Sequence, residues 1–401
     1  MRGGRSDAGR RVARPAAVRS LTARVAIAFL ALQLAAGAGP ASALQTKAPR
    51  ALVVALDSTS VLASTGHEEA FAPGNLAKLV TAAVVAEAIA AGETTPDTRF
   101  AVSEHAWRTG GAPARVTTMF AAVRSQVAVA DLMRGLVVHY ANDAAIVLAE
   151  GIAGGEAAFA ERMNALCERL GMAGSHFANP TGFPDRAART TLSDMERLVR
   201  WMRAEHPDLL ALYAVDAFTW NKITQRNKTD AIRDVPGVVG LSLAYEESAG
   251  FGGVLLAVRG ERAVFIGLSG LPREEDRRRE IAVLVGAVFD GYRTVEVYGA
   301  GERVGTVRLH GGAEDQVAVA SDAAVRVTVP IDEAEAIFAR IVYEGPVPAP
   351  VRRGQPVGEL EIGAGGQVLR RVPLVAADDV PLAGLSKRAG DGVRELMFGW
   401  W

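Results

Sequence analysis

Ala72-Pro-Gly-Asn-Leu-Ala-Lys-Leu-Val-Thr81 is the stretch that decides how the rest of the chain is read. Pro73 and Gly74 punctuate it, and from Leu76 it runs on rich in Ala, Leu and Val with no breaker until Gly92. The pattern predicts a helix beginning near Asn75 that is apolar on nearly every face, and such a helix belongs inside a large core. Asparagine suits an N-cap, so Asn75 also reads as the residue that starts it. One cation, Lys78, lies a turn inside. It either snorkels from the first turn to solvent or is buried, and burial would lower its pKa towards a value useful for accepting protons.

Around this stretch there is room for two domains. The chain has 401 residues, 49% of them hydrophobic, with a net charge of −1. Basic residues are scattered beyond the N-terminus, which leaves no electrostatic footprint for nucleic acid. The single cysteine, Cys167, excludes an intrachain disulfide and reads as a small core residue. The histidines are dispersed, and His67-Glu-Glu lacks the second histidine of a zinc helix, so neither metal nor cofactor is expected.

The N-terminus reads as an export signal over residues 1–43. Seven arginines, from Arg2 to Arg24, precede the apolar run Val25–Ala36, which is short for a bilayer span. Ala41-Ser-Ala43 then offers small residues suited to signal peptidase, with a mature start near Leu44. Arg10-Arg11 is only a weak twin-arginine signal.

Beyond it, Ala51–Ala55 reads as a strand, and Val61-Leu62 as its hairpin partner across Asp57-Ser-Thr-Ser. Trp107–Pro113 is rich in breakers and reads as a loop. Val129–Val138 is helical up to His139-Tyr-Ala-Asn-Asp143, and Ala144–Ala149 resumes. Glu156–Leu170 and Ser193–Arg203 are amphipathic helices. Val238–Ser242, Gly253–Val258 and Ala263–Leu268 look like strands of one sheet, covered by a helix over Arg277–Phe289. Helices framed by strands from both ends of a segment predict one α/β domain over residues 44–293.

From Thr294 the texture changes to short alternating runs: Val295/Val297, Val304/Val307/Leu309, Val317/Val319, Val325/Val327/Val329 and Val357/Leu360/Ile362. They predict an all-β sandwich over residues 294–378. In the last segment, residues 379–401, Leu382, Leu385, Val393, Leu396, Met397, Trp400 and Trp401 recur at helical spacing opposite Lys387, Arg388 and Arg394. That is an amphipathic helix suited to a membrane interface or to docking on the protein's own surface.

Residues 50–398 resemble the low-molecular-weight penicillin-binding proteins, the serine D-alanyl-D-alanine carboxypeptidases of peptidase family S11. The agreement is spread along the chain: Ala51-Leu-Val-Val, Ala72-Pro73, Trp107-Arg-Thr-Gly-Gly-Ala-Pro113, Asn142-Asp-Ala144, Ala149-Glu-Gly-Ile-Ala153, Thr181-Gly182, Phe218-Thr-Trp-Asn221 and Ala249-Gly250. The resemblance implies a transpeptidase domain of the penicillin-binding-protein and β-lactamase type, its sheet flanked by helices, followed by a β-sandwich and an amphipathic membrane-associating helix. It further implies an exported, periplasmic protein at the inner membrane, whose partner is a peptidoglycan stem peptide or a cell-wall enzyme.

That family works through Ser-x-x-Lys, Ser-x-Asn and Lys-Thr-Gly. The first serine attacks the D-Ala-D-Ala carbonyl, the first lysine activates it, the second serine relays the proton and the last lysine grips the terminal carboxylate. Aligned by their flanks, the three positions here are Asn75-Leu-Ala-Lys78, Tyr140-Ala-Asn142 and Ser242-Leu-Ala244. Asn75 has no hydroxyl, Tyr140 carries its oxygen on a ring that would crowd the groove, and Ser242 removes the clamping cation. Lys78 and Asn142 survive, and a relic Lys78–Asn142 pair is expected. Thr81, Ser242 and Ser248 are the alternative nucleophiles, with Thr81 expected to point into the core. Two functions stand: a pseudoenzyme that binds muropeptide or a partner without cleaving it, and a weakly active carboxypeptidase using a rearranged site.

Overall fold

The computed structural model describes residues 44–385 apart from 335, together with the two-residue strand Arg10–Arg11. The rest of residues 1–43, where an export signal is expected, and the tail from residue 386 lie outside the described residues. The chain divides into two compact units, one of residues 44–57 and 61–290, the other of residues from 291 onward together with 58–60.

The first unit is built on a five-stranded sheet whose strands come from both ends of the segment. β1 (Arg50–Ala55) and β2 (Ser60–Thr65) open the unit, and β3 (Val238–Glu246), β4 (Gly250–Arg259) and β5 (Arg262–Leu271) close it, in the spatial order β2-β1-β5-β4-β3. β5 pairs antiparallel with both β1 and β4, which places Val264 opposite Ala55 and Ile266 opposite Leu255. β3 is therefore an edge strand. Its inner neighbour is β4, with Ser242 opposite Val254.

Between the two groups of strands lie the helices α1 (Ala77–Ala90), α2 (Glu104–Thr109), α3 (Val129–His139), α4 (Asn142–Ala153), α5 (Glu156–Arg169), α6 (Leu192–Glu205) and α7 (Pro207–Tyr213). α8 (Glu274–Gly291) follows the sheet. α1 is the hub. Leu79, Val80, Ala82, Ala83 and Val85 are all fully buried, and they share one core with Leu132 and Leu136 of α3, Ile146 and Leu148 of α4 and Phe159 and Met163 of α5. A helix with helical neighbours on most sides has no solvent face to decorate, which is why its sequence carries no amphipathic stripe. Cys167 sits in this core as well, its thiol pushed up to about 12 by burial.

Part of the expected loop over Trp107–Pro113 is helical. α2 begins at Ser103, whose hydroxyl accepts the amide of Ala106 at 2.8 Å, and it runs to Thr109 before the glycines stop it. The capping serine lies upstream of the breaker-rich stretch, so the breakers marked only where this helix ends.

The second unit is all β. β6 (Tyr292–Tyr298) pairs with β9 (Val325–Pro330), and this ribbon lies beside a larger sheet. The larger sheet has the order Arg10–Arg11, β10 (Phe338–Val342), β11 (Pro356–Ala364), β12 (Gln367–Ala376), β8 (Gln316–Ala320), β7 (Arg303–His310) and Val347–Pro348. Val319, Val325, Val327, Val329, Ile362 and Leu374 form its core. β10 and β12 carry Arg340, Arg370 and Arg371, and these charges broke the apolar alternation that marked the other strands. Arg340 and Arg371 both hold Glu361 of β11, at 2.6 and 3.0 Å.

The terminal helix cannot start at residue 379. Val380 bridges Val351, and Leu382 bridges Gly312, so the backbone is extended there. The amide of Ala313 donates to the carbonyl of Pro381, and that of Ala383 to Gly311. These residues finish the sandwich, because their backbone groups are already engaged with its loops. Among the described residues no helix is long and apolar enough to cross a membrane.

Candidate functional site

α1 is entered through a 3-10 turn, Gly74–Leu76, so Asn75 sits ahead of the α-helix and does not cap it. The turn is closed by backbone, Leu76 N–H to the carbonyl of Pro73 at 3.0 Å. The asparagine side chain is thereby free to face along the helix, where its Oδ1 accepts the amine of Lys78 at 2.9 Å. The N-cap expectation is corrected accordingly.

Lys78 is 4% exposed and does not snorkel. Its second partner is the carbonyl of Thr181. That carbonyl is aimed by an Asx-type turn, in which Asn179 Oδ1 accepts the Thr181 hydroxyl and the amide of Gly182 at 2.8 Å each, and the amide of Phe183 at 3.0 Å. Gly182 lies at φ +76°, and a Cβ there would fall 1.8 Å from the carbonyl oxygen of Gly74. Only glycine lets this loop close over the start of α1. Neither partner of Lys78 is charged, and burial pulls its pKa down to about 7.

The expected Lys78–Asn142 pair is not formed. Asn142 donates its side-chain amide to the carbonyl of Thr117 at 3.0 Å, and its Oδ1 is buried with no partner among the described residues. Its orientation follows from its neighbour. Asp143 is fully buried and accepts from the Thr118 hydroxyl at 2.6 Å and from the amides of Met119 at 2.9 Å and Ala121 at 3.0 Å. This carboxylate clasps the 117–121 loop to α4, and the loop in turn takes up the amide of Asn142. A run of three donors on one carboxylate left no trace in the sequence, because the donors are mostly backbone.

Tyr140 ends α3 in the left-handed conformation, at φ +58°. Its buried hydroxyl accepts the amide of Leu243 at 2.9 Å and hydrogen-bonds the hydroxyl of Thr229. Burial raises its pKa, so it stays protonated at neutral pH. Ser242 is buried on β3 and donates to the carbonyl of Asn75 at 3.3 Å. Thus Asn75, Lys78, Tyr140, Ser242 and Leu243 come together in one linked set of bonds, while Asn142 belongs to the neighbouring loop contact. Ala244 lies at the end of this set, its carbonyl accepting Nη1 of Arg277 at 3.4 Å.

Arg277 escaped the sequence reading, which took it as the start of a covering helix. It is a buried cation over the ring of Phe251, paired with Glu274 at 3.1 Å, and its Nε has no partner among the described residues. Burial lowers its pKa. The only available signal was its place in the charged run Glu274–Glu280, where nothing distinguishes it from its exposed neighbours.

No hydroxyl stands ready as a substitute nucleophile among the candidates. Thr81 is fully buried and donates to the carbonyls of Pro180 at 2.8 Å and Ala77 at 3.2 Å. Ser248 is exposed in the turn after β3, beyond the strand end. Chemically, the cluster holds an amine that exchanges a proton near neutral pH, with an amide beside it where a proton donor would be needed.

A family model described as D-alanyl-D-alanine carboxypeptidase matches residues 38–267, and one for the penicillin-binding protein 5 C-terminal domain matches residues 292–382. The chain is 30% identical to the D-alanyl-D-alanine carboxypeptidase DacD of Escherichia coli (strain K12) over 80% of this chain and 83% of that one. Among solved structures, it is similar to penicillin-binding protein 5 from Haemophilus influenzae, with a TM-score of 0.73, 25% identity and coverage of 86% and 100% of the two chains. It is also similar to penicillin-binding protein 6B from Escherichia coli, with a TM-score of 0.65, 27% identity and coverage of 83% and 96%.

Proposed function

Because this chain belongs to the D-alanyl-D-alanine carboxypeptidase family, we propose that it is a catalytically silent member, exported to the cell wall, that serves peptidoglycan or a cell-wall enzyme without cleaving stem peptides. The observation that carries the reading is the contact of the Lys78 amine with the amide oxygen of Asn75. In the family's reaction that amine takes a proton from a serine hydroxyl as the oxygen attacks a carbonyl. An amide oxygen carries no proton to take, and its nitrogen lone pair is delocalised. Removing the nucleophile from an enzyme whose groups act as a unit costs about 10⁶-fold in turnover.

The other two positions support the same reading. Tyr140 and Ser242 spend their hydroxyls on Leu243 and Asn75, and so tie β3 to the helical wall of the groove. A stem peptide lying along this edge strand would have to displace both bonds. Export rests on the arginine-rich, apolar N-terminus and its Ala41-Ser-Ala43 site, and membrane association on the tail beyond residue 385.

Incubating the purified protein with penicillin and measuring its intact mass tests the central point. No covalent adduct is expected, and an adduct anywhere in the groove would restore the weakly active enzyme. Asn75→Ser alone should stay silent, whereas Asn75→Ser, Tyr140→Ser and Ser242→Lys together should acylate, because these groups are strongly non-additive. A folded triple variant that never acylates would remove support for stem-peptide binding in this groove. Deleting residues 386–401 should release the protein from anionic vesicles with its melting temperature nearly unchanged.

A further inference from the structure

β3 is an edge strand, so its outward backbone groups need partners that no neighbouring strand supplies. Alternate residues turn both groups to the same side, and here the backbone of Leu241 and Leu243 faces outward. The amide of Leu243 donates to the Tyr140 hydroxyl at 2.9 Å, and the carbonyl of Leu241 accepts the Thr229 hydroxyl at 3.4 Å. The two hydroxyls also bond each other. Since the Thr229 proton is committed to Leu241, Tyr140 donates to Thr229. One directed chain results, from the Leu243 amide through both hydroxyls to the Leu241 carbonyl.

Each member is held from behind. Thr229 is buried, and its amide donates to Oδ1 of Asn227 at 2.8 Å. The side-chain amide of Asn227 is in turn spent on the carbonyls of Tyr213 at 3.0 Å and Val215 at 2.8 Å. The strand meets this pair irregularly. Its register shifts between Val238 and Gly240, and Leu241 lies at φ +139°, a conformation that leucine rarely adopts. Such strain persists only where the surroundings impose it.

The pair thus gives β3 an acceptor for one N–H and a donor for a carbonyl two residues away. Those are the groups that the main chain of an extended peptide offers when it adds to a sheet edge. We propose that Tyr140 and Thr229 form an autoinhibitory bracket, standing in for a peptide's main chain and keeping β3 closed to strand addition. The choice of a D-alanyl ligand rests on the reading above. The bracket governs binding, whereas the missing hydroxyl at position 75 governs cleavage, so either can fail without the other.

The probe is Nα-acetyl-D-alanyl-D-alanine, titrated into the full chain and followed by amide NMR shifts. The parent should not saturate at Leu241–Tyr245, whereas Tyr140→Ser combined with Thr229→Ala should saturate there. Thermal melting shows whether each variant is folded. Tyr140→Phe keeps the ring and removes only the hydroxyl, so hydrogen exchange of the Leu243 amide should become about tenfold faster. That comparison decides the matter if the double variant does not fold. Saturation of the parent at Leu241–Leu243 would overturn the bracket. So would a folded double variant that never saturates, or an unchanged Leu243 exchange rate in Tyr140→Phe.

Discussion

Asp143 has a donor for each of its oxygens, whereas Asn142, the residue before it on α4, keeps a buried oxygen with none. Both belong to the same helical turn and both face the 117–121 loop. The first is part of the scaffold, which must be satisfied for the loop to hold its place. The second lies where the resemblance places the family's Ser-x-Asn motif, and its amide oxygen is left over from the same loop contact. The contrast extends to the lysines and tyrosines around them. Lys78 is buried with two neutral acceptors, while the hydroxyl of Tyr140 is tied to Leu243 and Thr229. Tyr140 is therefore held by structural bonds, whereas Lys78 is held in a dry place at a cost.

The sharpest way to break this comparison is Asp143→Ala. It leaves buried donors of Thr118, Met119 and Ala121 unsatisfied, and the loss should be about 4 kcal/mol in urea unfolding. A loss no greater than that of Asn142→Ala would mean the two residues are equivalent after all.

Lys78 tests the other side. Its folded pKa of about 7 lies below the ordinary lysine value of 10.5, so between these limits the unfolded chain binds more protons and stability rises with pH. Well below pH 7 the full penalty for the buried ammonium is present. From pH 7 to pH 9 this group should add about 2 kcal/mol. Lys78→Met should flatten that slope and gain most, relative to the parent, at pH 6. Parallel stability–pH curves for parent and variant would show that the amine is not buried as described.

Tyr140→Phe strips the hydroxyl from the amide of Leu243, and about 1.5 kcal/mol should be lost. A neutral result would mean the cross-groove bond is incidental. Asn142→Ala should be the mildest, about 1 kcal/mol, since it gives up one amide bond and also removes an orphaned oxygen.

The chain by itself determined the family, the α/β unit and the β-sandwich, because apolar periodicity and turn residues are local quantities. The buried helix after Pro73-Gly74 was legible for that reason, as was the absence of a side-chain hydroxyl at position 75, which residue type alone decides. Only the tertiary structure decided the rest. Asn75 and Lys78 are three residues apart, but the carbonyl that completes the lysine's surroundings comes from Thr181, on a loop shaped by Asn179 and Gly182. Asn142 turned away from Lys78 because Asp143 had already claimed the loop beside it. Arg277 looked like one more member of a charged run until the strands and helices around it excluded water. Residue type says what a side chain is able to do. Which partners it meets, and in how dry a place, depends on contacts between segments far apart in the chain.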